Sequence, residues 1–190
     1  MALAPVVTTP IFFANFSSLG ILGISVPQLS AGLANALYAY SNSGISVSTV
    51  DAGLIGSGVG AGTAALTPAS MLPFMIASFS SQSVLGISSF QLAVAITNSL
   101  STCISSSSVS TLHPSVGSGT GVGTLTPSSA VPFFISGLES VGITGTNKNL
   151  LATAIANGLD LSLPTTVVNV AIAGPSGSSA SSGVGTGKIF

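Results

Sequence analysis

Cys103 and His113 each occur once in the chain and are its only candidates for a thiolate nucleophile and an imidazole base. A working dyad also needs a third group to orient the base, and no acid lies near either residue in the sequence. Cys103 reads instead as a small buried hydrophobe on the inner face of a helix, and His113 as a turn or capping residue at the end of a strand. A lone cysteine can close no internal disulfide. The acids Asp51, Glu139 and Asp160 are isolated, and no two have a spacing suited to metal binding or acid–base work. Glycine runs at Gly56 to Gly62 and Gly117 to Gly123 invite a phosphate-loop reading, which fails in detail. Ala61 and Val122 stand where the third fingerprint glycine belongs, and Gly187-Lys188 is followed by Ile189 rather than Ser or Thr. Asn15-Phe16-Ser17 fits the glycosylation sequon, but the amino-terminal residues lack the basic region of a secretory signal. No catalytic residue, cofactor or metal site is expected.

Charge is the scarcest property of the chain. Its 190 residues include two basic side chains (Lys148, Lys188) and three acidic ones, a charged fraction of 3% and a net charge of −1. An average soluble domain is about 25% charged. Mean hydropathy is +0.82. With no Arg and two Lys, the cationic footprint of a nucleic-acid binder is missing. A membrane protein is also disfavoured. The most apolar stretches, Ile11 to Val26 and Val84 to Ile96, are interrupted by polar residues, Gly or Pro every few positions, whereas a span needs about 20 apolar residues. Neither stretch has flanking Lys or Arg to orient it. The remaining surface is neutral, built from Ser, Thr and Asn or buried against other protein.

Internal repetition organises the chain. Pro10-Ile11-Phe12-Phe13-Ala14 aligns without a gap on Pro73-Phe74-Met75-Ile76-Ala77, an offset of 63, and the same register pairs Phe16 with Phe79 and Gly23 with Gly86. An offset of 59 carries Pro73-Phe74 onto Pro132-Phe133 and Gly86 onto Gly145. Pro5, Pro68 and Pro127 share the register. The expected architecture is α+β: three tandem repeats of about 60 residues, at 1–67, 68–126 and 127–190, forming one continuous unit with pseudo-threefold character.

Each repeat has the same order of parts. A short apolar helix follows the second proline (Ile11 to Leu19, Phe74 to Val84, Phe133 to Val141), and a glycine turn ends it. A second helix begins at Ser25, Ser88 or Asn147, all favoured N-cap residues, with Gln28 and Gln91 completing capping boxes. Its apolar face is Leu33 and Leu37 in the first repeat, Ile96 and Leu100 in the second, Ile155 and Leu159 in the third. Asn35, Asn98 and Asn157 occupy one aligned position on these helices, either satisfying a local carbonyl or bridging to a strand or a neighbouring subunit. A β-strand follows (Ile45 to Val50, Val109 to Leu112, Thr165 to Val170). A glycine-rich extended segment closes each repeat, and its bare backbone suits close approach by another chain.

The units Gly142-Ile143 and Leu151-Ala152-Thr153-Ala154-Ile155-Ala156-Asn157-Gly158-Leu159, with the Val-x-Thr strands leading to Asp51 or His113 and then glycines, resemble small virion structural proteins of tailed bacteriophages. That resemblance implies a particle component, located in the virion, whose partners are copies of itself and other particle proteins. The resulting expectation is a non-enzymatic, self-assembling subunit of capsid, neck or tail, held by neutral apolar interfaces and by strand addition. A membrane-associated protein is the alternative, and a secreted surface protein a further one. Leu33, Leu37, Ile96, Leu100, Ile155, Leu159 and the three asparagines are the residues expected to carry packing and assembly.

Overall fold

A computed structural model describes residues 4–23, 25–41, 46–54, 57–113, 118–126, 129–145, 147–163, 168–173 and 181–189. Ile45, Gly56, Gly117, Pro127 and the start of the third expected strand lie outside these residues, and Asp51 and His113 are described by their backbone alone. The fold is α+β. Its elements are α1 (Pro5–Ser18), α2 (Ser25–Ser41), β1 (Ser46–Leu54), β2 (Ser57–Ala65), α3 (Pro68–Ser81), α4 (Ile87–Ser105), β3 (Ser108–His113), β4 (Ser118–Thr126), α5 (Val131–Ser140), α6 (Asn147–Ser162), β5 (Val168–Ala173) and β6 (Ser181–Ile189).

The helices form a closed ring in which each packs on its predecessor and successor and α6 returns to α1. The strands form a second closed ring, an antiparallel barrel in the order β1 to β6 with β6 paired back to β1. Because the chain passes from the ends of α2 and α4 into strands, the barrel is seated on one mouth of the helix ring. The α1–α2, α3–α4 and α5–α6 turns lie at the opposite mouth. Pairing is staggered: Asp51 faces Gly60, Gly60 faces Thr111, Thr111 faces Gly123, Gly123 faces Val168, and Val168 faces Ile189. Ile189 adjoins Lys188, which pairs with Ser46, so one circuit returns to the other end of β1. This stagger is the strand tilt that closure requires.

The glycine-rich segments are therefore strands, and the backbone that approaches them belongs to the same chain. In β2, Gly60 and Ala64 are buried and Gly62 is half-buried, while Val59, Ala61, Thr63 and Ala65 are exposed. Alternate glycines thus mark the lumen face. An eight-stranded barrel is just wide enough for side chains to fill it, so a six-stranded one is narrower still. Among the described side chains, β1 and β3 supply Val47, Thr49 and Val109 to the interior, and β2 supplies the Ala64 methyl and otherwise glycine hydrogens. A Cβ on Gly62 would collide with the Ser48 carbonyl and come within 2.6 Å of the Thr49 Cα. Closure also corrects one expectation. Every strand has a partner on each side, so the barrel offers no free edge for strand addition.

Helices α1 and α3 start earlier than the sequence suggests, at Pro5 and Pro68, and run through Pro10 and Pro73. An internal proline removes a donor from the carbonyl four residues back. Those carbonyls belong to Val6 and Ala69, both exposed, where water can replace the lost bond. Helix α5 instead begins beside Pro132, which sits in its first turn. The N-cap expectation is corrected too. Gly86 caps α4, at φ 112°, and Ser88 lies inside the helix, while Ser25 and Asn147 are themselves the first residues of α2 and α6. The chain makes its sharp turn into each second helix at glycine, since Gly23 and Gly145 also have positive φ.

Just before that turn, Gly20, Ser83 and Gly142 all adopt the left-handed region, with φ of 73°, 60° and 79°. Only Ser83 carries a side chain there. Ser83→Gly should relieve that strain, less the extra backbone entropy glycine loses, for a net gain of about 0.5 kcal/mol and a Tm rise of about 1–2 °C. Differential scanning calorimetry would check it; a lower Tm would contradict the strain.

The core is continuous from the helix ring into the mouth of the barrel. Phe12, Phe16, Met71, Met75, Phe79, Phe134 and Leu138 fill it from α1, α3 and α5, and Leu66, Val47, Ala64 and Val109 line its floor. Each such side chain contributes about 1.5–3 kcal/mol of burial. Small residues let the helices approach closely. A Cβ on Gly158 would come within 2.6 Å of the Phe12 ring, and one on Gly32 within 2.8 Å of the Phe79 ring. Polar seams are satisfied locally: the Thr67 amide donates to the Tyr40 hydroxyl at 3.2 Å, and the Ser99 hydroxyl reaches the Phe133 carbonyl at 2.9 Å.

Candidate assembly surface

The six residues expected to carry packing, Leu33, Leu37, Ile96, Leu100, Ile155 and Leu159, are all buried within the chain's own core. They hold α2, α4 and α6 against the ring's interior and do not reach a neighbour. The aligned asparagines differ in exposure. Asn35 and Asn157 are half-buried, whereas Asn98 is exposed and lines a cleft of about 220 Å³ between α4 and α5 with Ser99, Thr102, Phe133 and Ser136. Cys103 is buried in α4. His113 stands five residues beyond the start of β3, about 17 Å along a strand that runs away from the helices, so the two do not form a dyad. The glycine runs lack the helix that a phosphate loop needs, because each is itself a strand. Asn15 of the sequon sits within α1 and donates its amide to the Ile11 carbonyl at 2.9 Å. Among the described residues, no group of three His, Cys, Asp or Glu could hold a metal ion.

What remains is the outer surface. Helices α1 to α4 carry no charged side chain at all. Charge on the ring is confined to α5 and α6, where Lys148 and Glu139 form an ion pair across the turn. The exposed Glu139 limits that pair to about 1 kcal/mol or less. Asp160, near the end of α6, has its carboxyl held above the ordinary carboxylate range by desolvation.

Several large apolar side chains face outward. At the mouth of the ring away from the barrel, Leu22 is 76% exposed and Leu85 72%, each on a helix–helix turn. Between the α1–α2 and α5–α6 turns lies a groove of about 340 Å³ lined by Ile21, Leu22, Ile143, Leu150 and Leu151, with Lys148 at its side. Phe13, Phe74 and Phe90 are further exposed on the helices. Among the described side chains of β1 to β3, the barrel's outer wall shows small neutral groups at Ser46, Ser48, Val59, Ala61, Thr63, Ala65, Ser108 and Ser110; Lys188 of β6 pairs opposite Ser46. Single exposed apolar residues are ordinary on a monomer; their combination with an almost uncharged surface is not. Sequence reasoning missed these outward residues because it used aligned positions to find the inner faces, and Leu22 and Leu85 were visible only as parts of the glycine turns. Among the described residues, no helix is long and apolar enough to cross a membrane. No protein-family model, curated protein or solved structure matches the chain.

Proposed function

We propose that the chain is a non-enzymatic structural subunit that assembles with copies of itself, as a component of a bacteriophage particle. The observation that carries this reading is the neutral exterior: four helices without a charge, and projecting leucines and phenylalanines on the ring. A surface of this kind can be buried without the desolvation penalty of unpaired ions. Apolar area, and not strand addition, supplies the affinity. Three tandem repeats, at 1–67, 68–126 and 127–190, account for the order α-α-β-β recurring along the chain and for the matching positive-φ positions in the three helix turns. On this reading the molecule is a pseudo-threefold plug: a helix crown above a barrel stem, suited to a ring or an axial position. Capsid, neck and tail are all compatible with it.

Sedimentation velocity in detergent-free buffer tests the proposal. A defined multiple of 18.4 kDa, or regular rings or tubes by electron microscopy, is expected. Leu22→Asp combined with Leu85→Asp should shift the distribution towards monomer while preserving the melting transition. A compact monomer at tens of micromolar would overturn the self-assembly reading, and solubility only in detergent would favour the membrane-associated alternative.

A further inference from the structure

The Oδ1 atom of Asp160 is fully enclosed and is the one buried side-chain oxygen or nitrogen among the described residues without a hydrogen-bond partner. The offset of 59 places Asp160 where α4 has Ser101, and the offset of 63 carries that position back to Tyr38 in α2. The other two repeats therefore have a hydroxyl, a donor by chemical type, at the place where the third has a carboxyl. In the second repeat the use of that donor is explicit. The Ser101 hydroxyl donates to the Leu66 carbonyl at 2.7 Å, tying the last turns of α4 to the junction between β2 and α3. Leu66 opens the triplet Leu66-Thr67-Pro68, which recurs unchanged as Leu125-Thr126-Pro127, so the offset of 59 makes the Leu125 carbonyl at the end of β4 the acceptor expected for Asp160.

A carboxylate has no proton to donate to a carbonyl, whereas a neutral carboxylic acid has one. We propose that Asp160 is a proton-operated latch: as the neutral acid it donates to the Leu125 carbonyl and ties α6 to the β4–α5 junction, and as the carboxylate it releases that tie. The inference rests on the reading of three like repeats. Among the described side chains of the two helices packed on α6, none offers the ionised form a cation; Lys188 lies on β6, its backbone paired with Asn169 near the start of β5. Helix α1 carries no titratable side chain, and α5 carries only Glu139, which is paired with Lys148. Lys148 itself lies twelve residues back along α6, about 18 Å away. Asp160 also sits in the last turn of its helix, where negative charge is disfavoured. The half-buried carboxyl, desolvated on its Oδ1 side, accordingly binds its proton more tightly than a free one would.

The sign follows from this. A carboxyl whose proton affinity is raised on folding contributes stability that is complete below its unfolded pKa, near 3.9, and is lost as pH rises through its folded value. In a particle component this would loosen the third helix pair as pH rises through that folded value.

Thermal melts between pH 4 and 8 of the full chain, with Asp160→Ser, Asp160→Asn and Asp160→Ala, test the latch, together with a carbon-13 titration of the Asp160 carboxyl. The wild type should lose about 3 °C of Tm relative to Asp160→Ser as pH rises, and the carboxyl should titrate above the ordinary aspartate value. Asp160→Ser, which restores a donor, should melt above Asp160→Ala at every pH. Parallel profiles for wild type and Asp160→Ser, or identical melting of the Ser and Ala variants, would overturn the proposal. Ser101→Asp separates the latch from the reading beneath it. If it acquires the same pH-dependent loss, both stand. If it stays flat while the Asp160 variants behave as expected, the pH-dependent role of Asp160 stands, but the equivalence of the repeats falls and the Leu125 acceptor with it.

Discussion

Ile96→Asp should leave no folded chain at room temperature. Ile96 sits on the inner face of α4 with 2% of its surface exposed, in the same cluster as Met75, Phe79 and Leu100. Truncating such a side chain costs about 2–5 kcal/mol, and an unpaired carboxylate adds several more. A domain of this kind has roughly 5–15 kcal/mol in total. Leu33→Asp and Ile155→Asp carry the same expectation, since both are equally buried. Circular dichroism melts would read the loss. Phe90→Asp, on the exposed side of the same helix as Ile96, is the control and should melt within a degree or two of the wild type. An Ile96→Asp variant that melts normally would mean that α4 does not turn this face inward.

Gly62→Ala should destabilise the barrel strongly. The new Cβ would meet backbone atoms of β1, the Ser48 carbonyl and the Thr49 Cα, which cannot swing aside as a side chain can. Relief requires the β1–β2 ladder to part where Thr49 pairs with Gly62. Overpacking of this kind costs about 3 kcal/mol, or about 6–12 °C of Tm in a chain of this size. Ala61→Val, one residue earlier and on the exposed face, should stay within about 0.5 kcal/mol of the wild type. If the two variants melt alike, β2 does not present its glycines to a crowded lumen.

Much of this arrangement was readable in the residues, though not evenly. The inner faces of α2, α4 and α6 were legible because Leu33/Leu37, Ile96/Leu100 and Ile155/Leu159 recur at helical spacing, and all six are buried. Strand positions beginning at Ser46 and Val109 were legible from β-branched alternation. The partners of the glycine-rich strands were not. A segment such as Gly58-Val59-Gly60-Ala61-Gly62 has the period of a strand, but its inner positions have no side chains to mark a buried face. Reading it correctly requires knowing that six strands close on one another, a property of the whole circuit and of no single segment. The starts of α1 and α3 were misplaced for a related reason. Pro10 and Pro73 look like boundaries until it is known that Val6 and Ala69 face water. The outward leucines depend on where the turns lie in three dimensions, which no spacing along the chain conveys.

The pairing of β6 with β1 joins the most distant parts of the chain, and that has a temporal consequence. During synthesis β1 and β2 can form their hairpin early, but β1 keeps one unsatisfied flank until β6 has been made. The helix circle likewise stays open between α1 and α6 until late. A nascent chain therefore carries a bare row of backbone amides and carbonyls for most of its production, the condition under which strands recruit the wrong partner. Contacts of such long sequence separation also slow folding. Maturation should accordingly end in one late, cooperative step, the docking of the last strand, and polypeptides halted before Ser181 should collect as aggregates and not as smaller folded pieces.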